Sequence, residues 1–342
     1  MTSLPELIIE PPFRVTRTSH VVMHVKDVGA SVAFYSRALG LVITEQRADI
    51  AYLRGIEEVC HHSLVLKRAD VPACARVGFR VYSEADLDIA AKYFAQAGGT
   101  AAFVDVPYQG KTLHVTDPFG FQWEFCVCMD VVPRMLVQFH EHRGGSALRL
   151  DHVQVLTPDV EAANRFYMAI GFRCTEYIVN EAGVITGVFL QRKGNTHDLV
   201  FVRSTGPRIH HFAFMTPDSH TLIHACDTAG QLGYGAAVER GPGRHGPGHA
   251  LYTYFRDPDG HRVELCNTTY QTIDPEVPPM RWDRGAGAII AEWGLPAQRV
   301  WYEDATPFVG AKLMAPNPPI KRVSLEDYLA RPAPATEQNR TA

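Results

Sequence analysis

HVQVLTPDVEAANRFYMAIGF, residues 152 to 172, decides the fold, because HVVMHVKDVGASVAFYSRALGL, residues 20 to 41, has the same layout. Each stretch opens on a histidine at the head of an alternating apolar run, the pattern of a half-buried strand. Each then passes an Asp-Val pair into a short helix that ends in Phe-Tyr and closes on glycine. Asp27 and Asp159 stand where a helix start wants an acceptor or a negative charge. The correspondence continues down the chain. IAYLRG (50–55) parallels VFLQRKG (188–194), and HSLVLKR (62–68) parallels HDLVFVR (197–203). VGFRV (77–81) parallels HFAFM (211–215), each leading into a helix, EADLDIAAKYFAQAG in one half and HTLIHACDTAGQLG in the other. LHVTDPFGFQWEFC (113–126) parallels TYFRDPDGHRVELC (253–266), hairpins around an Asp-Pro-x-Gly turn.

Each half therefore holds two β-α-β-β-β units, and the class is α+β, with paired modules whose short alternating strands form sheets curled around one face. A length of 342 residues suits two domains and an extension. The expected division is 1–147, 148–280 and 281–342. Trp282, Trp293, Trp301 and many prolines make the stretch from about 281 to 325 too apolar for a free tail, so a lid over the site is expected there. The final ARPAPATEQNRTA reads as disordered.

With 46% apolar and 20% charged residues and a net charge of -4, the chain has core material and no basic stripe, which argues against nucleic acid as a partner. MTSLPELIIEPPFRVTR lacks an apolar signal core, and no apolar run approaches the roughly 20 residues of a membrane span, so no membrane association is expected and a cytoplasmic place is. Seven cysteines without a CxxC pair read as reduced, mostly buried thiols rather than a zinc site.

Polar residues recur at corresponding strand positions, His20 with His152 and Glu124 with Glu264. His152, His211 and Glu264 come from the first, a middle and the last strand of the second half, and a curled sheet can bring them together. Two imidazoles and one carboxylate leave three positions open on one side of a metal and suit iron or manganese. In the first half the matching set reads His20, Gly78 and Glu124, so the middle ligand is missing and His20 and Glu124 are structural or vestigial. Thr196-His197-Asp198, taken alone, reads as a satisfied core polar cluster. Arg240, Arg244 and His245 in the Gly- and Pro-rich ERGPGRHG loop are either solvated charges or substrate contacts. Tyr254, as a bare strand tyrosine, reads as packing, and His114 takes its place in the first half.

LDHVQVLTPDV (150–160), RKGNTHDLVF (192–201), GPRIHHFAF (206–214), ERGPGRHG (239–246), YTYFRDPDGHRVEL (252–265), WGLPAQRVWYEDAT (293–306) and IAYLRGIEEVCHHSLVL in the first half together resemble the type I extradiol dioxygenases of the vicinal oxygen chelate superfamily, nearest the homoprotocatechuate 2,3-dioxygenase branch. The resemblance implies the vicinal oxygen chelate fold with a C-terminal lid, and an Fe(2+) centre, with Mn(2+) as the other metal, on His152, His211 and Glu264. It implies opening of a catechol ring by O2 to a 2-hydroxymuconic semialdehyde type product, in a homotetramer. His197 would face the O2 side as an acid–base group, and Arg240, His245 and Tyr254 would meet the substrate. In the homoprotocatechuate enzymes an arginine of the C-terminal segment helps hold the substrate carboxylate, and here that stretch reads GAGAIIAEWG (285–294). Arg281 or Arg284 stand nearby as substitutes. The expected substrate is thus a homoprotocatechuate-like catechol, one with a neutral or less acidic substituent, or one whose carboxylate sits differently. Two other readings stand beside it: a metal-dependent lyase or epimerase of the same superfamily, and a non-catalytic small-molecule binding protein.

Overall fold

The structure, a computed structural model, describes residues 4–283, 292–320 and 322–331. Its first half runs β1 (Val15–Val25), α1 (Val28–Arg37), β2 (Val42–Gln46), β3 (Ile50–Arg54), β4 (Leu64–Arg68), β5 (Ala73–Val81), α2 (Glu84–Gln96), β6 (Thr100–Val104), β7 (Thr112–Thr116) and β8 (Gln122–Cys126). The second half repeats this as β9 (Arg149–Thr157), α3 (Val160–Ala169), β10 (Arg173–Val179), β11 (Ile185–Gln191), β12 (Leu199–Arg203), β13 (Arg208–Met215), α4 (Ser219–Gln231), β14 (Val238–Arg244), β15 (Leu251–Arg256) and β16 (Arg262–Asn267). Then follow β17 (Met280–Asp283), α5 (Arg299–Glu303), β18 (Thr306–Pro307) and α6 (Leu325–Leu329). Helices α1 and α3 are capped as the sequence predicts, Asp27 and Asp159 accepting from the backbone N–H of Ala30 and Ala162.

The duplication is visible in the strand order. One sheet runs β2-β3-β4-β1-β5-β8-β7-β6, and the other runs β14-β15-β16-β13-β9-β12-β11-β10 with β17 added beyond β10. Read from opposite ends the two orders are the same. In each, the two units meet where their first strands pair antiparallel, β1 on β5 and β9 on β13, while each unit's first and last strands pair parallel.

Period-two alternation divides the sheet faces. On β9, Val153 and Val155 enter the main hydrophobic core, while His152, Gln154 and Leu156 face a pocket on the concave side. On β12, Leu199 and Phe201 join that core, and Val200 and Val202 face the pocket. The core is common to both halves: Tyr35 stacks on Phe212, and Phe121 meets Phe201 edge-on. Two hydrogen bonds cross the same boundary with matched logic. The α3 hydroxyl of Tyr167 donates to Asp117 at 2.6 Å, and the α1 hydroxyl of Tyr35 donates to Asp257 at 3.0 Å. The Phe-Tyr helix ending and the Asp-Pro-x-Gly turn, recurrent in the sequence, are therefore partners in space, each turn meeting the helix of the other half.

The C-terminal segment returns to the second sheet. β17 pairs parallel with β10, and β18 pairs with β13. Trp301 is buried, Trp282 donates to Glu176 at 2.6 Å, and Trp293 is exposed. Arg284 and most of the 285–294 stretch lie outside the described residues, as does nearly all of the terminal ARPAPATEQNRTA. Among the described residues no helix is long and apolar enough to cross a membrane. All seven cysteines are free, five of them buried, Cys226 partly covered and Cys128 exposed.

Candidate metal centre

The cross-strand register puts His152, Ala213, Glu264 and Tyr254 in one row across β9, β13, β16 and β15. His211 stands opposite Gln154, one step along. Strand alternation alone would turn His210 and His211 to opposite faces. A register irregularity between Ile209 and His211 changes this. Ile209 and Phe212 enter the core, and both histidines line the concave pocket.

His152, His211 and Glu264 are all buried, and one donor atom from each lies within 4.8 Å of the others. Glu264 Oε2 is 3.3 Å from His152 Nε2 and 3.1 Å from His211 Nε2, and the two Nε2 atoms are 3.4 Å apart. The partners of the Nδ1 atoms set the tautomers. His152 Nδ1 donates to Asp151 Oδ2 at 2.9 Å, and Asn195 donates to the other carboxylate oxygen at 2.9 Å. His210 Nε2 must donate to the Trp301 carbonyl, at 2.9 Å, so its Nδ1 is left to accept from His211 Nδ1 at 2.8 Å. Both ligand candidates thus turn Nε2, the nitrogen those bonds leave over, toward Glu264, the orientation by which imidazoles hold a metal.

Electrostatics favour a cation at the same point. Burial pushes the Glu264 carboxyl up, yet the imidazoles of His152, His211 and His245 close beside it hold it well below the usual carboxylate range. Its Oε1 is buried without a hydrogen-bond partner. Burial pushes His152 down, but its bonds to Asp151 and Glu264 outweigh that and lift it up to about 9, whereas burial brings His211 down to about 4. A second convergent set, Asp151, His152 and Cys266, shares His152. Burial and the Glu264 charge push the Cys266 thiol well above its usual range, and Asp151 is engaged by His152, so no thiolate competes there.

His197 lines the pocket with its ring centroid 4.3 Å from that of His152, and Thr196 Oγ1 meets its Nδ1 at 2.7 Å, which leaves Nε2 free. Burial and the His152 charge keep His197 well below the usual histidine range, hence neutral. On the other side, His245 Nε2 is 2.9 Å from the Tyr254 hydroxyl and 3.5 Å from Glu264 Oε1. Arg240 is not on the pocket wall. Its guanidinium lies over the Trp301 and Tyr252 rings at 4.3 and 5.1 Å, with both terminal nitrogens buried and unpartnered. Arg281 is exposed and pairs with Asp283 at 2.7 Å, away from the pocket.

The first half departs from the predicted correspondence. Its row reads His20, Gly78, Glu124 and His114, so Gly78 matches Ala213 and Arg76 takes the place of His211. Counting along aligned strings missed this because register, not string position, sets neighbours. His20 folds over Gly78, where a Cβ would meet its ring at 2.0 Å, and reaches Glu124 at 2.6 Å, while His114 holds the other oxygen at 2.7 Å. Among the described residues these groups do not converge as the second-half set does. Asp151 and His210 were not singled out from the sequence. Their signal was there in the polar doublets Asp151-His152 and His210-His211 within apolar strands.

The sequence profile of the Glyoxalase/Bleomycin resistance protein/Dioxygenase superfamily matches residues 17–125 and 149–265, one match per half. Solved structures of homoprotocatechuate 2,3-dioxygenase from Brevibacterium fuscum are similar throughout. Its anaerobic complex with 3,4-dihydroxyphenylacetate is 34% identical with a TM-score of 0.84, covering 91% of this chain and 99% of that one. A variant of the same enzyme gives 33%, 0.87, 92% and 90%. The manganese-dependent 2,3-dihydroxybiphenyl 1,2-dioxygenase of Geobacillus genomosp. 3 is 25% identical over 287 residues, 78% of this chain and 90% of the relative. The metapyrocatechase of Geobacillus stearothermophilus is 24% identical over 289 residues, 80% of this chain and 88% of the relative. The chain belongs to the extradiol ring-cleaving dioxygenases of this superfamily, oxidoreductases that open catechol rings.

Proposed function

We propose that the protein opens a substituted catechol beside its diol with O2, placing both oxygen atoms in a 2-hydroxymuconic semialdehyde type product, at one Fe(II) held by His152, His211 and Glu264. The observation that carries this is the pair of outward hydrogen bonds, to Asp151 and His210, that turn both imidazole Nε2 atoms onto an ionised carboxylate in an apolar pocket. Fe(II), or Mn(II) as named for the Geobacillus relative, would supply Lewis acidity toward the diol and electron exchange with O2.

The chain's own groups do the rest. His245 and Tyr254, hydrogen-bonded to each other, receive the diol oxygens, and His245, kept below its usual range by burial, can take up a proton from them while Tyr254 stays protonated as a hydrogen-bond partner. His197 faces the ring from the His152 side. Being neutral, it can take up a proton released during the reaction and then deliver it where oxygen gains charge. Trp301 and Pro247 cover the pocket and limit water. In this reading residues 148–280 carry the chemistry and parts of 281–342 cover it, in a cytoplasmic homotetramer whose mass in solution checks the assembly.

The test is anaerobic reconstitution with Fe(II), then air and a panel of catechols, following O2 uptake and the yellow product. Stoichiometric uptake that His211→Ala abolishes, with loss of bound iron, is the expected result. Iron bound without uptake for any catechol would replace this reading by a lyase or epimerase.

A further inference from the structure

The two halves meet at a second cavity, of about 430 Å³, that shares no lining residue with the metal pocket. Strands β1 and β5 give it Arg17 and Arg80, and the second half adds Arg149, Leu150 and Lys193. Arg17 and Arg80 are directly opposed across the antiparallel β1–β5 pair, and both line the cavity from the same face of the sheet. Their Cβ atoms therefore stand about 5 Å apart, where like charges destabilise the pairing.

The duplication shows that the fold does not require this pair. At the same register position in the second half Arg149 faces Met215, and Glu57 neutralises Arg149 at 2.7 Å. The other charged groups of the cavity are matched as well. Lys193 pairs with Asp198 at 3.1 Å. The buried Glu58 carboxyl accepts from the N–H groups of Gly55 and Leu150 at 2.7 and 3.3 Å, and from the Ser63 hydroxyl. Among the described residues neither Arg17 nor Arg80 forms an ion pair with a carboxylate. Arg17 donates to the Thr18 carbonyl at 2.9 Å and Arg80 to Ser19 Oγ at 3.2 Å, which leaves most donors of both forks unused. Two half-buried guanidinium groups side by side, each without a counter-ion, are a place for an anion from outside the protein.

We propose that this cavity is a second binding site, for a phosphate ester whose terminal oxygens bridge Arg17 and Arg80 and whose organic body lies against Val59, Val127 and Met129. Adjacent planar forks suit the several oxygens of one phosphate, and its charge cancels their mutual repulsion. The volume and the apolar residues suit a small organic molecule rather than a lone ion. The site stands independently of the reaction at the metal.

The test uses the Fe(II)-loaded protein, kept anaerobic at about pH 8, where a phosphate ester is a dianion. Phenyl phosphate is the probe, phenyl sulfate its singly charged isostere and inorganic phosphate the headgroup alone. Calorimetry and thermal unfolding are read for the wild type, Arg17→Gln and Arg80→Met, the last of which copies the pairing of the second half. Phenyl phosphate should bind the wild type roughly tenfold more tightly than either comparison ligand and raise its Tm. It should also slow alkylation of Cys128, the exposed thiol on the cavity wall, followed by mass spectrometry. Both variants should lose on the order of tenfold in affinity, and Arg80→Met without ligand should be at least as stable as the wild type. Inorganic phosphate binding as well as the ester would mean an adventitious ion only and overturn the proposal. So would a Tm rise reproduced by sodium chloride at equal ionic strength, or binding that survives in both variants and so belongs to the metal pocket. If a variant fails to fold, Cys128 in the wild type still decides, because alkylation not slowed by phenyl phosphate overturns the proposal.

Discussion

At the scale of single residues, the site depends on groups that never meet the metal position. Asp151 holds the His152 Nδ1 proton, and Asn195 in turn holds Asp151. Asp151→Asn should leave the fold intact and weaken Fe(II) binding by roughly 10- to 100-fold, as read by competition with a chelator. Asp117 offers a pH signature instead. Burial raises its carboxyl to about 6, against the lowering effect of its bonds with Tyr167 and Trp123. The native state therefore holds this proton more tightly than the unfolded chain does. The resulting stability is fully present below about pH 4 and is lost as pH rises through about 6, a change of about 3 kcal/mol. Urea unfolding of the wild type and Asp117→Asn across that window should show the wild type's advantage shrinking with rising pH. A constant difference would assign the ionised form no penalty.

Among the elements, the loop after β14 carries His245, and what steadies it comes from elsewhere. Glu176 on β10 is fully buried and accepts from Gly248 N–H at 2.8 Å, Tyr270 at 2.7 Å and Trp282 at 2.6 Å. One carboxylate thus ties the loop that carries His245 to the segment that leads into β17. Glu176→Ala leaves three donors without an acceptor and should cost about 2–4 kcal/mol in urea unfolding, with KM raised more than kcat is lowered. Unchanged KM would mean that the loop is held by its own turns. The irregularity in β13 works at the same scale. By placing His210 and His211 on one face, it lets the first orient the second, and a regular strand of the same composition would lose one of them to the core.

For the whole molecule, the two Tyr–Asp bonds make each half complete the other. Removing either hydroxyl, in Tyr35→Phe or Tyr167→Phe, leaves a buried turn carboxyl one donor short and should cost about 1–2 kcal/mol. The two effects should add in the double variant, because the sites have separate partners. Unfolding should stay a single transition, since aromatic side chains of both halves share one core. Two separate transitions would show halves that fold alone.

The repeat, the alternating strands, the helix caps and the polar residues on strands were all legible in the chain, because each depends on local periodicity or on chemistry rare in an apolar strand. His152, His211 and Glu264 could be picked out for that reason, and the structure brings them within bonding distance of one another. Other facts belong to the tertiary structure alone. Gly78 matches Ala213 rather than His211, Asp117 and Asp257 serve the opposite halves, and Trp301 and Tyr302 of the last segment join the pocket wall. Register, bulges and the return path of the last segment decide these, and they are set by packing between residues far apart in sequence, which no local pattern encodes.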